Sequence, residues 1–173
     1  MTAATVVTER LILRQLGAED LDAWVAGHAS VLQDRAGARF RAPVEAPPLF
    51  ADDLPALRDL LRQEDGRHQI WLLVEKDSDE PVGVAGFSTD QRVATTGYSV
   101  FPRFESRGYT TEALRALLDR IQAEGGVDRV RATIPPDNLP SIRVAKKLGM
   151  VNTGTDVDPE VGDVLVYETR RDA

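Results

Sequence analysis

Thr96-Gly97-Tyr98-Ser99-Val100-Phe101-Pro102-Arg103-Phe104-Glu105-Ser106-Arg107-Gly108-Tyr109-Thr110-Thr111-Glu112-Ala113-Leu114 passes from a strand pattern to a helix pattern within one short stretch. Residues 96–101 read as a strand that Pro102 stops. Residues 111–124 carry Ala113, Leu114, Leu117, Leu118 and Ile121 on one helical stripe, closed by Gly125-Gly126. A strand, a loop and a helix start in close succession suit a phosphate group. The first amides of a helix have no intrahelical acceptor, and the helix dipole is positive there. Gly108 lets backbone approach a ligand closely, while Thr110 and Thr111 add hydroxyl donors. Every helix has such an end, so the loop alone names no ligand.

Downstream, residues 127–134 read as a strand, residues 138–148 as a helix capped by Asn138 and stopped by Gly149, and Val164-Leu165-Val166-Tyr167 as a final strand. Upstream, Gln69-Ile70-Trp71-Leu72-Leu73-Val74 and residues 81–87 form an expected antiparallel pair around Lys76-Asp77-Ser78-Asp79-Glu80. A turn near Asp90-Gln91-Arg92 leads on to the next strand. At the start, Thr8-Glu9-Arg10-Leu11-Ile12-Leu13-Arg14 alternates as a first strand that Gly17 ends. Leu21, Trp24, Val25 and His28 recur at helical spacing behind Glu19-Asp20, whose charges suit the positive end of a helix. Pro43, Pro47 and Pro48 make residues 35–50 a loop, and Leu54, Leu57, Leu60 and Leu61 mark a second short helix. Helices and strands alternate without repeat, low-complexity tract or linker, which predicts one mixed α/β domain over residues 1–173.

The length of 173 residues allows one sizeable core, and 42% hydrophobic with 28% charged residues match an ordinary globular chain. No apolar run approaches the roughly 20 residues of a membrane span, and the N-terminus has no basic segment followed by an apolar one. A cytoplasmic protein with no membrane partner is the expectation. Cysteine is absent, which excludes disulfides, thiolate zinc sites and cysteine nucleophiles. His28 and His68 are too isolated to suggest a metal site, so none is expected. The net charge of −7 argues against nucleic-acid binding through a basic surface. Its distribution is uneven: residues 101–150 hold nine Arg and Lys against six Asp and Glu, the rest 12 against 22. An anionic ligand at that segment and ordinary scatter of surface charge both fit.

Three separated pieces, in order, resemble the GNAT acetyltransferases: Gly97-Tyr98-Ser99-Val100-Phe101-Pro102, Arg107-Gly108-Tyr109-Thr110-Thr111-Glu112-Ala113-Leu114, and Asn138-Leu139-Pro140-Ser141-Ile142-Arg143-Val144-Ala145-Lys146-Lys147-Leu148-Gly149-Met150. The stretch from Thr8 to Arg14 and the piece from Asn138 to Ser141 are similar to the RimJ/RimL-like branch, which acetylates ribosomal-protein N-termini. The likeness covers almost the whole chain and is weakest over residues 30–68. It implies a central twisted, mostly antiparallel sheet, split into a V by a bulged strand and flanked by about four helices. It also implies acetyl-CoA as co-substrate, with pantetheine in the gap. Carried onto this chain, it implies that Val100 and Phe101 offer backbone hydrogen bonds to pantetheine. Diphosphate falls to Arg103, Ser106, Arg107, Gly108, Tyr109, Thr110 and Thr111. Asn138 contacts the pantetheine arm, and Ser141 lies beside the thioester sulfur. Two positions depart from the family pattern. Ser106, preceded by Glu105, stands where members usually carry glycine, and Ala145 stands where many carry a tyrosine acid.

The implied reaction moves acetyl directly to a primary amine, of a protein N-terminus or a small molecule. A neutral amine attacks the thioester carbonyl, a backbone N–H polarises its oxygen, and the departing thiolate is protonated. Ser141 is expected to protonate or hydrogen-bond the thiol; Asp90, Tyr98 and Glu75 are candidates for the base. A non-catalytic, acyl-CoA-binding regulatory protein of the same fold is the alternative, prompted by Glu105, Ser106 and Ala145. A nucleotide-binding loop of the Gly-x-x-x-x-Gly-Lys-Ser/Thr kind is absent. Asp52, Asp53, Glu75, Asp77, Asp79 and Glu80 suit either a cationic acceptor or a solvated face. Exposed strand edges in this fold admit a homodimer.

Overall fold

The computed structural model describes residues 4–41, 43–45, 54–63 and 66–169. Among them eight strands form one sheet: β1 (Thr5–Val7), β2 (Leu11–Leu16), β3 (His68–Glu75), β4 (Pro81–Asp90), β5 (Val93–Val100), β6 (Arg129–Ile134), β7 (Val151–Asp158) and β8 (Gly162–Glu168). Their order is β1-β2-β3-β4-β5-β6-β8-β7. Every neighbouring pair is antiparallel except β5 and β6. Among the described residues five helices flank the sheet: α1 (Ala18–Val25), α2 (Ala29–Ala36), α3 (Leu54–Leu61), α4 (Tyr109–Glu124) and α5 (Leu139–Lys147), with a 3-10 turn at Pro102–Phe104.

The parallel pair is where the sheet opens. β5 and β6 are in register only from Val93 to Thr95, against Arg129 to Arg131. Beyond that point β5 stays paired with β4, while β6 turns to β8. Two half-sheets therefore diverge from a common closed end. Each half carries its own apolar cluster: β2 to β5 pack with α1, α2 and the buried stripe of α4, whereas Ile134, Ile142, Ala145, Met150 and Tyr167 form a second core around α5. Ala113, Leu114, Leu117, Leu118 and Ile121 are all buried. At about 1.5–3 kcal/mol for each large side chain, this stripe holds α4 against the sheet more firmly than helix propensity does. The bulge expected at the split falls elsewhere. Register shifts lie between β3 and β4 at Leu73/Val74 and between β7 and β8 at Asn152/Gly154, and β5 runs against β4 without interruption.

Several local expectations change. The first strand does not run through residues 8–14, because Thr8 closes a corner. Its amide donates to the carbonyl of Leu11 at 2.9 Å, and its hydroxyl accepts from the amide of Leu11 at 3.0 Å. Two strands, β1 and β2, meet there. The helix expected to reach His28 ends at Val25, where Gly27 takes a φ of 69° and stops it. A further helix, α2, then occupies residues 29–36, part of which the sequence suggests is loop; Arg35 ties it back to Asp20 at 2.6 Å and Glu19 at 2.9 Å. β7 is an additional strand, with Asn152 through Val157 exposed. No apolar alternation marks it, since it is held by its pairing to β8 rather than by burial. Pro47, Pro48, Asp52 and Asp53 lie outside the described residues.

Candidate functional site

The loop read from the sequence as a phosphate site stands where β5 ends beside the mouth of the split. After Phe101 the chain makes the 3-10 turn and enters α4 through Gly108, which adopts a φ of 80° and supplies no side-chain cap. The first amides of a 16-residue helix are thus left to solvent or to an anion. Ser106 also has positive φ, 60°, in the left-handed region that favours glycine. The backbone therefore takes the shape that the resemblance associates with glycine, although the residue is serine. Glu105 is exposed, so its charge is met by water.

The loop is held from two strands. Arg10, at the corner before β2, donates to the carbonyl of Arg107 at 2.9 Å and to Glu112 of α4 at 2.7 Å, and its guanidinium lies 4.5 Å from the ring centre of Tyr109. The amide of Arg10 and the hydroxyl of Thr8 also reach the Glu112 carboxylate, at 2.8 Å and 2.6 Å. Burial alone would raise the Glu112 pKa, but these bonds outweigh it and hold the carboxyl below its usual value. From the other strand, Glu75 at the end of β3 accepts from the Tyr109 hydroxyl and from Ser78. The Ser78 and Tyr109 bonds depress the Glu75 pKa. A carboxylate so occupied is a weak base, and Glu75 supports the loop instead. Sequence reasoning missed Arg10 and Glu112 as site residues; the available signal was an acid in the first turn of a helix expected to meet an anion.

Arg103 is ion-paired with Glu45 at 3.1 Å and lies over the rings of Phe101 and Phe104, while Arg107 lies over Phe104. Beside the loop a cleft of about 520 Å³ is bounded by Thr8, Gly108, Thr111, Arg115 and Lys147.

Within the split, the two halves contribute different chemistry. Phe101 does not offer an open edge: its N–H goes to the carbonyl of Val82 at 2.9 Å and its own carbonyl accepts from Phe104 at 2.8 Å. Strand alternation turns the amides of Val100 and Tyr98 the opposite way, toward the gap. From the α5 side, Asn138 caps the helix, its side chain accepting from the amide of Ser141 at 3.2 Å. Tyr98 bridges the halves, its hydroxyl donating to the backbone carbonyl of Ser141 at 3.4 Å. Burial pushes the Tyr98 pKa up, so the phenol stays protonated at neutral pH and does not act as the base. Asp90 is apart from this group. It pairs with Val93 at the closed end of the V and is exposed, seven residues along the hairpin from the Gly83 and Val100 pair.

Comparison with known proteins agrees with this geometry. A family model described as acetyltransferase (GNAT) domain matches residues 10–151. An uncharacterised N-acetyltransferase, p20, of Bacillus licheniformis is 26% identical over 158 residues, covering 87% of this chain and 84% of its own. A GNAT-family acetyltransferase structure from Bordetella pertussis superposes with a TM-score of 0.71 at 25% identity, covering 96% of this chain and 99% of that one. The RimL ribosomal L7/L12 alpha-N-protein acetyltransferase, solved with coenzyme A, shares the fold with a TM-score of 0.69 at 21% identity, over 98% and 99% of the two chains. The family match spans the corner at Arg10, the loop, the split and α5, and on that ground the chain belongs to the GNAT acetyltransferases.

Proposed function

We propose that the chain is a cytoplasmic enzyme that moves acetyl from acetyl-CoA directly to a primary amine, of a protein N-terminus or a small molecule. One observation carries the reading: the uncapped start of α4 stands at the mouth of a split whose walls bring Tyr98, Asn138 and Ser141 together. Amides from residues 107–111 take the diphosphate, with Arg107 adding charge, and the cleft toward Arg115 and Lys147 takes the adenosine end. Pantetheine lies along the open edge of β5 at Val100, with Asn138 opposite.

The amine, deprotonated, attacks the thioester carbonyl; the carbon–sulfur bond breaks and coenzyme A leaves as thiolate. Ser141 hydrogen-bonds the sulfur, and Tyr98, released from the Ser141 carbonyl, passes its proton to the sulfur and regains one from solvent. The proton that the new amide nitrogen loses passes to water, because Asp90 stands at the closed end and Glu75 is occupied by the loop. Ala145, buried in the α5 core, leaves the tyrosine acid of other family members without a counterpart, and Tyr98 fills that role from β5. A thiol-release assay with N-terminal peptides and small amines tests the reading. Ser141→Ala is expected to lower turnover about tenfold or more while changing acetyl-CoA affinity little. Binding of acetyl-CoA with no thiol release from any amine would favour the non-catalytic module. A homodimer joined along β7 belongs to the same reading, supported by an edge strand with Val157 69% exposed. Sedimentation at twice 19.0 kDa is expected, and a monomer at working concentration contradicts it.

A further inference from the structure

The residues that shape the phosphate loop lie largely outside it. Arg10 sits about a hundred residues earlier in the chain, yet it touches three successive loop positions. It bonds the carbonyl of Arg107, lies 3.5 Å from where a Cβ on Gly108 would be, and covers the ring of Tyr109. Its side chain is 43% exposed, so burial does not explain these contacts. Glu112 does: the carboxylate takes the Arg10 Nε–H at 2.7 Å and the Arg10 amide at 2.8 Å, with the Thr8 hydroxyl as a third donor at 2.6 Å. Two of the five guanidinium N–H donors are committed within the protein, Nε–H to the carboxylate and one Nη1–H to the Arg107 carbonyl, and the orientation of that peptide sets where the following amides point.

We infer that Arg10, held by Glu112, is a positioning residue for the diphosphate. It fixes the Arg107 carbonyl and thereby aims the amides of Gly108, Tyr109 and Thr110 at the ligand. The inference rests on the acetyl-CoA reading given above and assigns that site its second support, opposite the bond from Tyr109 to Glu75.

Calorimetry with coenzyme A on the full chain compares wild type, Arg10→Lys and Glu112→Ala. Lysine keeps the charge but has no planar fork with which to serve Glu112 and the Arg107 carbonyl together. Both variants are expected to weaken coenzyme A at least tenfold. Glu112→Ala separates positioning from direct contact: if Arg10 itself touched phosphate, releasing its guanidinium would tighten the complex. A tighter complex, or wild-type affinity in both variants, overturns the inference. Steady-state rates with one amine guard against a general loss of fold. The drop in kcat/KM is expected to be at least ten times larger with acetyl-CoA than with acetyl-pantetheine, which has no diphosphate. Equal drops with the two donors also overturn it. Wild-type protein that fails to bind coenzyme A refutes the acetyl-CoA reading instead.

Discussion

At Ser106 the backbone takes a φ of 60°, where a side chain costs about 1–2 kcal/mol relative to the right-handed region. Glycine removes that cost but gains freedom in the unfolded chain, which returns about 0.5–1 kcal/mol. Ser106→Gly is therefore expected to stabilise the protein by roughly 0.5–1 kcal/mol. A thermal melt should rise by about 2 °C for a chain of this size, and an unchanged or lower melting temperature would show that the loop does not strain the serine. Tyr98 gives a second test at this scale. Its phenol is raised by burial and bonded across the split, so Tyr98→Phe should cut turnover about a hundredfold with little change in the Kd of coenzyme A. Equal turnover would remove Tyr98 from the chemistry. Residue identities of the loop, of Asn138 and of Ser141 were legible in the sequence, since they sit in local motifs. Arg10 and Glu112 were not, because their bond joins positions 102 residues apart and only tertiary packing brings them together.

Among the elements, β4 sets how β5 can run into the split. A Cβ added at Gly83 would lie 2.2 Å from the carbonyl oxygen of Ser99 and 2.7 Å from the Cα of Val100, both backbone atoms that cannot turn aside. Gly83→Ala should cost about 2 kcal/mol through forced displacement of β5, lowering the melting temperature by about 4–8 °C. A melt within 1 °C of wild type would contradict the tightness of that contact. The junction of β2 with α4 carries a pH signature. The bonds from Thr8 and Arg10 hold the folded pKa of Glu112 below its unfolded value of about 4.3, so this stabilisation is present above that value. It is lost as pH falls through the folded pKa. The melting difference between wild type and Glu112→Gln should be full at pH 6–7 and close under acid conditions below about pH 4. A difference constant down to pH 3 would rule out the ionised clamp. Periodicity read most elements from the sequence, α4 above all, because its stripe faces a core. β7 escaped it for the opposite reason: a strand exposed along most of its length leaves no apolar period.

For the whole molecule, the division into two cores explains why a split can exist without weakening the fold. Most of each half-sheet's apolar surface lies in its own cluster, with Val130 of β6 in the larger one and Leu148 packed against both, so the gap between β5 and β6 need not be filled by protein side chains to keep either half intact. The family likeness anticipated the V, yet the physical marker of its apex, three paired residues on each strand followed by divergence, is a tertiary fact that no local pattern carries. One anionic co-substrate is expected to occupy both the α4 start and this split. A crystal structure of the chain grown with acetyl-CoA should show diphosphate on the amides of residues 107–111 and pantetheine between Val100 and Asn138, with the sulfur beside Ser141 and Tyr98. Acetyl-CoA bound elsewhere, or a split left filled by protein in its presence, would contradict this expectation.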